Sequence, residues 1–211
     1  MKKLRWGVLS SAKIGREKVI PAIQISHLGE VVAIASRNQE NADLAAKELG
    51  IARAHSSYEA LLADPEVDAI YNPLPNHLHV PWTIKALEAG KHVLCEKPLG
   101  LNTADVRKLI EVAQQYPHLR VMEAFMYRFH PQWKTVVKLV REGRIGKIRS
   151  VHSNFSYNNH EADNIRNIVD WGGGALMDIG CYCISLSRLI YGAEPSRVVG
   201  QITPFPGHDV D

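Results

Sequence analysis

Gly7-Val8-Leu9-Ser10-Ser11-Ala12-Lys13-Ile14-Gly15 joins the end of a short apolar run to the start of a helical pattern, and its reading decides the fold. A dinucleotide's pyrophosphate meets backbone N–H groups at such a strand-to-helix turn, because the unpaired donors and the helix dipole favour an anion there. Against the usual glycine fingerprint the register is Ser10, Ala12, Gly15. Two of three glycines are thus replaced by small residues, which still permit close backbone approach but weaken the motif as evidence. In the cofactor reading Ser10, Ala12, Lys13 and Ile14 line the pyrophosphate. A tight turn of small residues is also a structural feature of doubly wound folds, so the turn alone leaves both readings open.

Outward from this turn, between Leu4 and about Glu123, short β-branched runs alternate with helical patterns, as in βαβ units that build a parallel sheet. Strands are predicted at Leu4 to Leu9, Val31 to Ser36, Ala69 to Asn72, His92 to Cys95 and Arg120 to Glu123, with a weaker one at Arg53 to His55. Helices are predicted at Arg16 to His27, Glu40 to Leu49, Tyr58 to Ala63, Thr83 to Ala89 and Ala104 to Gln115. Ser56 with Glu59 reads as a capping box, Asn102 as a cap with Asp105 in the first turn, and Gly50 and Gly90 as helix ends. Six strands alternating with helices describe a Rossmann-like, doubly wound α/β domain over 1–123. A different domain then occupies 124–211: Pro131 to Glu142 and Gly174 to Ile190 read as helices, Lys147 to Tyr157 and Arg197 to Ile202 as strands.

The 211 residues are 45% hydrophobic and 22% charged, the balance of a chain with a real core. The 25 Lys and Arg and 22 Asp and Glu are scattered, so no cationic stripe points to a nucleic acid or a membrane surface. A small anionic ligand is compatible with this balance. Cys95, Cys181 and Cys183 form no disulfide framework and predict a reducing, cytoplasmic setting. Met1-Lys2-Lys3 before an apolar run mimics a signal peptide, but Leu4 to Leu9 is too short for its apolar region and Lys13 and Arg16 soon follow.

Three further places carry chemistry. At the end of the second strand an acidic residue would accept hydrogen bonds from the ribose hydroxyls, and here stands Ser36-Arg37. A hydroxyl and a guanidinium fork suit a 2′-phosphate that a carboxylate would repel; this favours NADP, with NAD as the alternative and a solvated loop arginine as the bland reading. Glu96-Lys97-Pro98 follows the strand His92 to Cys95 at the carboxyl edge of the sheet, where open α/β folds bind ligands. The Lys97 ammonium can hydrogen-bond a substrate oxygen that becomes a carbonyl, although a surface lysine paired with Glu96 is the commoner case without further context. That context is Gly172-Gly173-Gly174-Ala175-Leu176-Met177-Asp178-Ile179-Gly180-Cys181-Tyr182, a glycine turn feeding a helix with Asp178 and Tyr182 four residues apart on one face. A tyrosine hydroxyl can exchange the proton as alcohol and ketone interconvert, and a carboxylate can orient substrate hydroxyls; alternatively Asp178 caps the helix and Tyr182 is core. His77 and His79 imply no third ligand, and hydride transfer to a nicotinamide needs no metal, so no metal site is predicted. Cys181 and Cys183 flank Tyr182 and point away from its face.

The small-residue turn, Glu96-Lys97-Pro98 and Gly172 to Tyr182 together resemble the Gfo/Idh/MocA oxidoreductases. Asn72-Pro73-Leu74-Pro75-Asn76-His77-Leu78-His79, Glu123-Ala124-Phe125-Met126-Tyr127-Arg128-Phe129-His130-Pro131 and Gly143-Arg144-Ile145-Gly146 add to the match. Tyr182, where many members have histidine, is similar to the branch of glucose-fructose oxidoreductase, dimeric dihydrodiol dehydrogenase and NADP-dependent xylose dehydrogenase. The resemblance implies hydride transfer between NADP and a hydroxyl-bearing carbon of a sugar, polyol or cyclic diol, with Lys97 and Tyr182 as the catalytic pair and Asp178 at the substrate. It implies that Pro73, Leu74, Asn76, His79 and Glu96 lie along the cofactor, and that the Lys97-Pro98 peptide is cis. It also implies an open, mostly antiparallel sheet in the second domain, of which 124–211 supplies only the first strands, and a homo-oligomer formed through that sheet. The chain then reads as a fragment or a truncated gene product with an exposed sheet edge. Two other readings stand beside it: a non-catalytic NADP-binding regulator, and a truncated, inactive cofactor-binding remnant.

Overall fold

Six parallel strands form one sheet: β1 (Leu4–Leu9), β2 (Gly29–Ala35), β3 (Arg53–His55), β4 (Ala69–Asn72), β5 (His92–Cys95) and β6 (Val121–Glu123). Their spatial order is β3-β2-β1-β4-β5-β6, so the winding reverses between β1 and β4 and opens a crevice at their carboxyl ends. The central strands read as nearly unbroken apolar runs because both faces of a parallel sheet are covered. On one side Leu9, Ala33, Ala35, Leu61, Ile70 and Val93 pack together, and another cluster holds Val8, Ile20, Ile34, Ala45 and Tyr71. Gly7 suits a close approach of layers: a Cβ there would lie 3.0 Å from Val67 Cγ1 and 3.2 Å from Leu61 Cδ1.

The helices are α1 (Ile20–Gln24), α2 (Gln39–Leu49), α3 (Tyr58–Leu62), α4 (His79–Glu88) and α5 (Thr103–Gln115). A π-helical turn, Gly15–Val19, leads into α1, and Pro21, which has no N–H to donate, follows it. Asn38 caps α2 by accepting from Asn41 N, and Asn102 caps α5 by accepting from Asp105 N. The cap of α3 is Ser57, whose extended backbone lets its hydroxyl accept from Ala60 N at 3.1 Å; this corrects the expected cap at Ser56 by one residue. Gly50 and Gly90 take left-handed φ of 66° and 76° at the ends of α2 and α4.

The structure describes residues 2–159, 161, 164–204, 207 and 209–211, and it divides into two units, Met1–Ala124 and Phe125–Asp211. The second unit holds α6 (Pro131–Arg141), three short 3₁₀ turns, a π-helical turn at Leu176–Gly180 and α7 (Cys181–Tyr191). The strands expected at Lys147 to Tyr157 and Arg197 to Ile202 are not formed; among the described residues this unit contains no β-strand. A strand's N–H and C=O groups need a paired neighbour, and neither segment meets one among the described residues. Val198, Val199 and Ile202 consequently stand 65% or more exposed. No helix among the described residues is long and apolar enough to cross a membrane.

Candidate active site

The turn after β1 is set by Ser10, whose φ of 76° is the left-handed conformation that glycine usually provides in this fingerprint. Its hydroxyl accepts from Ala12 N at 3.3 Å and stabilises the bend. Ala12 and Ile14 are partly exposed, Lys13 is exposed and lies 3.9 Å from Glu17, and Gly15 is buried. Beneath the turn stands Tyr71 of β4, fully buried, with Cε1 3.5 Å from where a Gly15 Cβ would sit.

At the end of β2 the Ser36 N–H donates to His55 O at 3.1 Å, and the Ser36 hydroxyl accepts from Asn38 N at 3.4 Å. Arg37 is exposed beside the Tyr58 hydroxyl; burial raises the Tyr58 phenol above its ordinary range and the Arg37 charge opposes that rise. The Tyr58 ring meets Trp82 edge-on at 5.0 Å, and Lys85 Nζ lies 4.0 Å over the Trp82 ring. Neither Ser36 nor Arg37 is acidic, so the end of β2 offers a hydroxyl, a cation and the first turn of α2.

The loop after β4 and the turn after β5 are joined by buried polar groups. Asn72, fully buried at the end of β4, donates from Nδ2 to His79 O at 3.1 Å and to Thr83 Oγ1 at 3.3 Å, and its Oδ1 accepts from Leu74 N at 3.3 Å. Pro73 and Leu74 are buried, so the side chain of Leu74 serves the core, while Asn76 is partly exposed. The His79 ring is 1% exposed, with Nδ1 2.7 Å from Pro98 O and Nε2 2.6 Å from Leu74 O. Burial pulls its pKa below the ordinary value, with the Lys97 and His77 charges acting in the same direction and the two carbonyls against it. Glu96 is raised by burial while Tyr71 Oη, which donates to Glu96 Oε1 at 2.7 Å, favours the carboxylate. Lys97 is partly exposed, its peptide bond to Pro98 is cis, and Leu99 N donates to Glu123 Oε1 at 2.7 Å.

In the second unit the glycine turn is dictated by backbone approach. A Cβ on Gly173 would lie 2.5 Å from Arg166 O, and Gly174, at φ 104°, would place one 2.1 Å from Asp211 Oδ1. Asp211 Oδ2 accepts from Leu176 N at 2.8 Å, so a carboxylate caps the start of this helix. Asp178 lies in the π-helical turn, which breaks the plain α-helical register from which a face shared with Tyr182 is expected. Its Oδ2 accepts from Tyr157 Oη at 2.5 Å and from Arg166 Nε at 2.9 Å. Burial and the Asp178 carboxylate raise the Tyr157 phenol. Tyr182 is partly buried in an aromatic cluster, with ring centroids 5.3 Å from Phe125, 5.7 Å from Phe155 and 6.0 Å from Tyr127.

Several groups in these arrangements escape sequence reasoning. Tyr71 and Asn72 do leave a signal, as polar atoms at the end of an otherwise apolar strand. Glu123 stands in a stretch that adds to the family match, but its tie to Leu99, like those of Tyr157 and Arg166 to Asp178, leaves no signal because the partners are distant in the chain. A parallel sheet in this order, a left-handed turn at its switch point and a basic end of β2 define a dinucleotide-binding protein of the doubly wound class.

Comparison with known proteins agrees and is narrower. Residues 4–125 match the family described as the Gfo/Idh/MocA oxidoreductase family with an NAD-binding Rossmann fold, and residues 133–211 match the C-terminal domain of Gfo/Idh/MocA proteins. The chain belongs to the Gfo/Idh/MocA family. An uncharacterized oxidoreductase of Rhizobium meliloti is 46% identical over 99% of this chain, and D-xylose 1-dehydrogenase (NADP(+)) 2 of Haloferax volcanii is 45% identical over 99%. The structure of KijD10, a 3-ketoreductase from Actinomadura kijaniata with NADP and TDP-benzene, superposes with a TM-score of 0.84 at 40% identity over 90% of this chain. The chain spans 63% of the length of each of the two sequence relatives and 58% of the ketoreductase chain.

Proposed function

We propose that this chain carries the cofactor domain and the proton-transfer residues of an NADP-dependent dehydrogenase or reductase acting on a hydroxyl-bearing carbon of a sugar, polyol or cyclic diol. The observation that carries the reading is the end of β2, where Ser36 and Arg37 stand in place of a ribose-binding acid, beside a turn held left-handed at Ser10. A guanidinium and a hydroxyl attract the 2′-phosphate that a carboxylate would repel. Ser10, Ala12, Lys13 and Ile14 hold the pyrophosphate through backbone N–H groups, and Pro73, Leu74, Asn76 and Glu96 border the rest of the dinucleotide. The bound nicotinamide supplies the hydride or accepts it. Lys97 hydrogen-bonds the substrate oxygen, Tyr182 gives or takes its proton, and Asp178, fixed by Tyr157 and Arg166, orients a neighbouring hydroxyl. The xylose dehydrogenase and the sugar ketoreductase among the relatives support this substrate class.

The same reading extends to the second unit. Lys147 to Tyr157 and Arg197 to Ile202 pair as strands of an open antiparallel sheet when copies of the protein come together through it. A reducing, cytoplasmic setting is part of it, supported by Cys95, Cys181 and Cys183, which form no disulfide. The test is a fluorescence titration with NADPH and NADH, followed by cofactor-linked absorbance against aldoses, inositols and trans-dihydrodiols. Preference for NADPH with turnover of one of these classes is expected. Equal affinity for the two cofactors removes the NADP reading, and binding without any turnover leaves the regulator or remnant.

A further inference from the structure

His79 opens α4 and is buried, yet its ring reaches two loops at once, through Nδ1 to Pro98 O and through Nε2 to Leu74 O. A carbonyl oxygen only accepts, so the ring donates to one of them with one proton and to both with two. The two carbonyls belong to different loops: Leu74 follows β4, and Pro98 directly follows Lys97. The main chain of His79 is itself anchored, since its carbonyl accepts from the buried Asn72 amide and that amide also reaches Thr83 one turn further along α4. Beyond Pro98, the Leu99 N–H is tied to Glu123 at the end of β6. Before Lys97, the Glu96 N–H donates to Asn72 O at 3.0 Å. The backbone on each side of Lys97 is therefore fastened to the sheet, and on the far side one fastening is the imidazole.

We propose that His79 is a positioning residue for Lys97: its ring ties the Pro98 carbonyl to the loop after β4, and this tie sets the direction from which the lysine acts. The proposal rests on the reading of Lys97 as the residue that meets the substrate oxygen. The His79 ring, 1% exposed and held between the Pro98 and Leu74 carbonyls, acts in this reading through those carbonyls instead of lining the cofactor as the resemblance implies. A polar plug of the core would support the whole unit evenly, whereas a positioning residue controls one turn.

The full chain, His79→Phe and His79→Gln are compared by amide hydrogen exchange, NADPH titration and steady-state turnover. Phenylalanine keeps a ring without donors, and glutamine restores a side-chain amide donor. In His79→Phe, exchange across residues 96–101 is expected to quicken at least about tenfold while β1 and β2 keep their protection, because local opening is separable from global unfolding. kcat falls at least about tenfold with substrate KM and NADPH affinity nearly unchanged, the cost of misplacing a reacting group by a fraction of an ångström. His79→Gln recovers part of both. Unchanged exchange at 96–101, or a rise shared equally with β1 and β2, overturns the proposal. A wild-type chain without turnover counts against the proposed function, and the exchange pattern then decides the question of His79 by itself. Should His79→Phe fail to fold, the same exchange comparison on His79→Gln decides it.

Discussion

The first unit pairs its strands with one another, whereas the described residues of the second pair their backbone in helices and turns. β2, β1, β4 and β5 are flanked on both sides by hydrogen-bonded neighbours and covered on both faces, so Leu9, Ile34 and Ile70 reach 0% exposure. In the second unit the buried apolar side chains among the described residues are Phe125, Ile179 and Val210. The helices α6 and α7 nonetheless form, while the alternating segments 147–157 and 197–202 form no strand. A helix satisfies its N–H and C=O groups from its own next turn, and a strand must borrow them from another segment. An alternating pattern is therefore a statement about a partner as much as about itself.

That contrast can be broken most forcefully through Tyr182, which lies in the second unit while the dinucleotide turn lies in the first. Tyr182→Phe is expected to lower turnover about a hundredfold to ten-thousandfold, the usual worth of acid–base help, while NADPH affinity measured by fluorescence stays nearly constant. A parallel loss of cofactor binding would mean that the tyrosine supports the fold rather than the chemistry. Next in size is a pair of core tests. Leu9→Ala should cost about 2 to 5 kcal/mol in urea unfolding, as truncations of fully buried leucines do, whereas Val199→Ala, at an 81% exposed site, should stay within about 0.5 kcal/mol. A large effect at Val199 would show that the second unit holds more packing than its exposure suggests.

Much of this contrast is legible in the sequence. The bounds of β1, β4 and β5 follow from apolar runs ended by turn residues, the weaker strand expected at Arg53 to His55 forms as β3, and Asn102, Gly50 and Gly90 act as their types predict. The start of β2 is drawn back to Gly29 by pairing with Leu4, which no local pattern reveals. α4 begins at His79 rather than Thr83, because the buried Asn72 amide holds its first residue. Lys97, Tyr182 and Ser36-Arg37 stand out by residue type and place in the chain. The ties through Glu123, Arg166 and Tyr157 do not, since each spans chain separations that only the fold brings together.

A smaller effect sharpens the cofactor side of the comparison. Arg37→Ala should weaken NADPH binding roughly tenfold to a hundredfold and leave NADH nearly untouched, as expected for one charge-assisted contact to a phosphate. Titration of both cofactors decides it, and an unchanged preference removes Arg37 from the site. The smallest expected effect lies in acid. Arg5 donates to Asp68 and holds its carboxyl at about 2, below the ordinary value of 3.8. The unfolded chain therefore takes up the proton first. This contribution is complete above about pH 4 and disappears as the pH falls through the folded value. The urea midpoint of the first unit should decline across that window, and Asp68→Asn should flatten the decline.

Ser10 bears on how such a turn can change over evolutionary time. A left-handed φ costs a non-glycine residue about 1 to 2 kcal/mol, and its hydroxyl contact to Ala12 N returns about 0.5 to 1.5 kcal/mol. Glycine avoids the strain but leaves the unfolded chain freer, at about 0.4 to 1 kcal/mol. The two residues come out nearly level, so a lineage can exchange glycine for serine here without crossing a fitness barrier. What inheritance preserves at this position is a dihedral angle, and a pattern search written in letters will overlook relatives that have kept the angle and changed the letter.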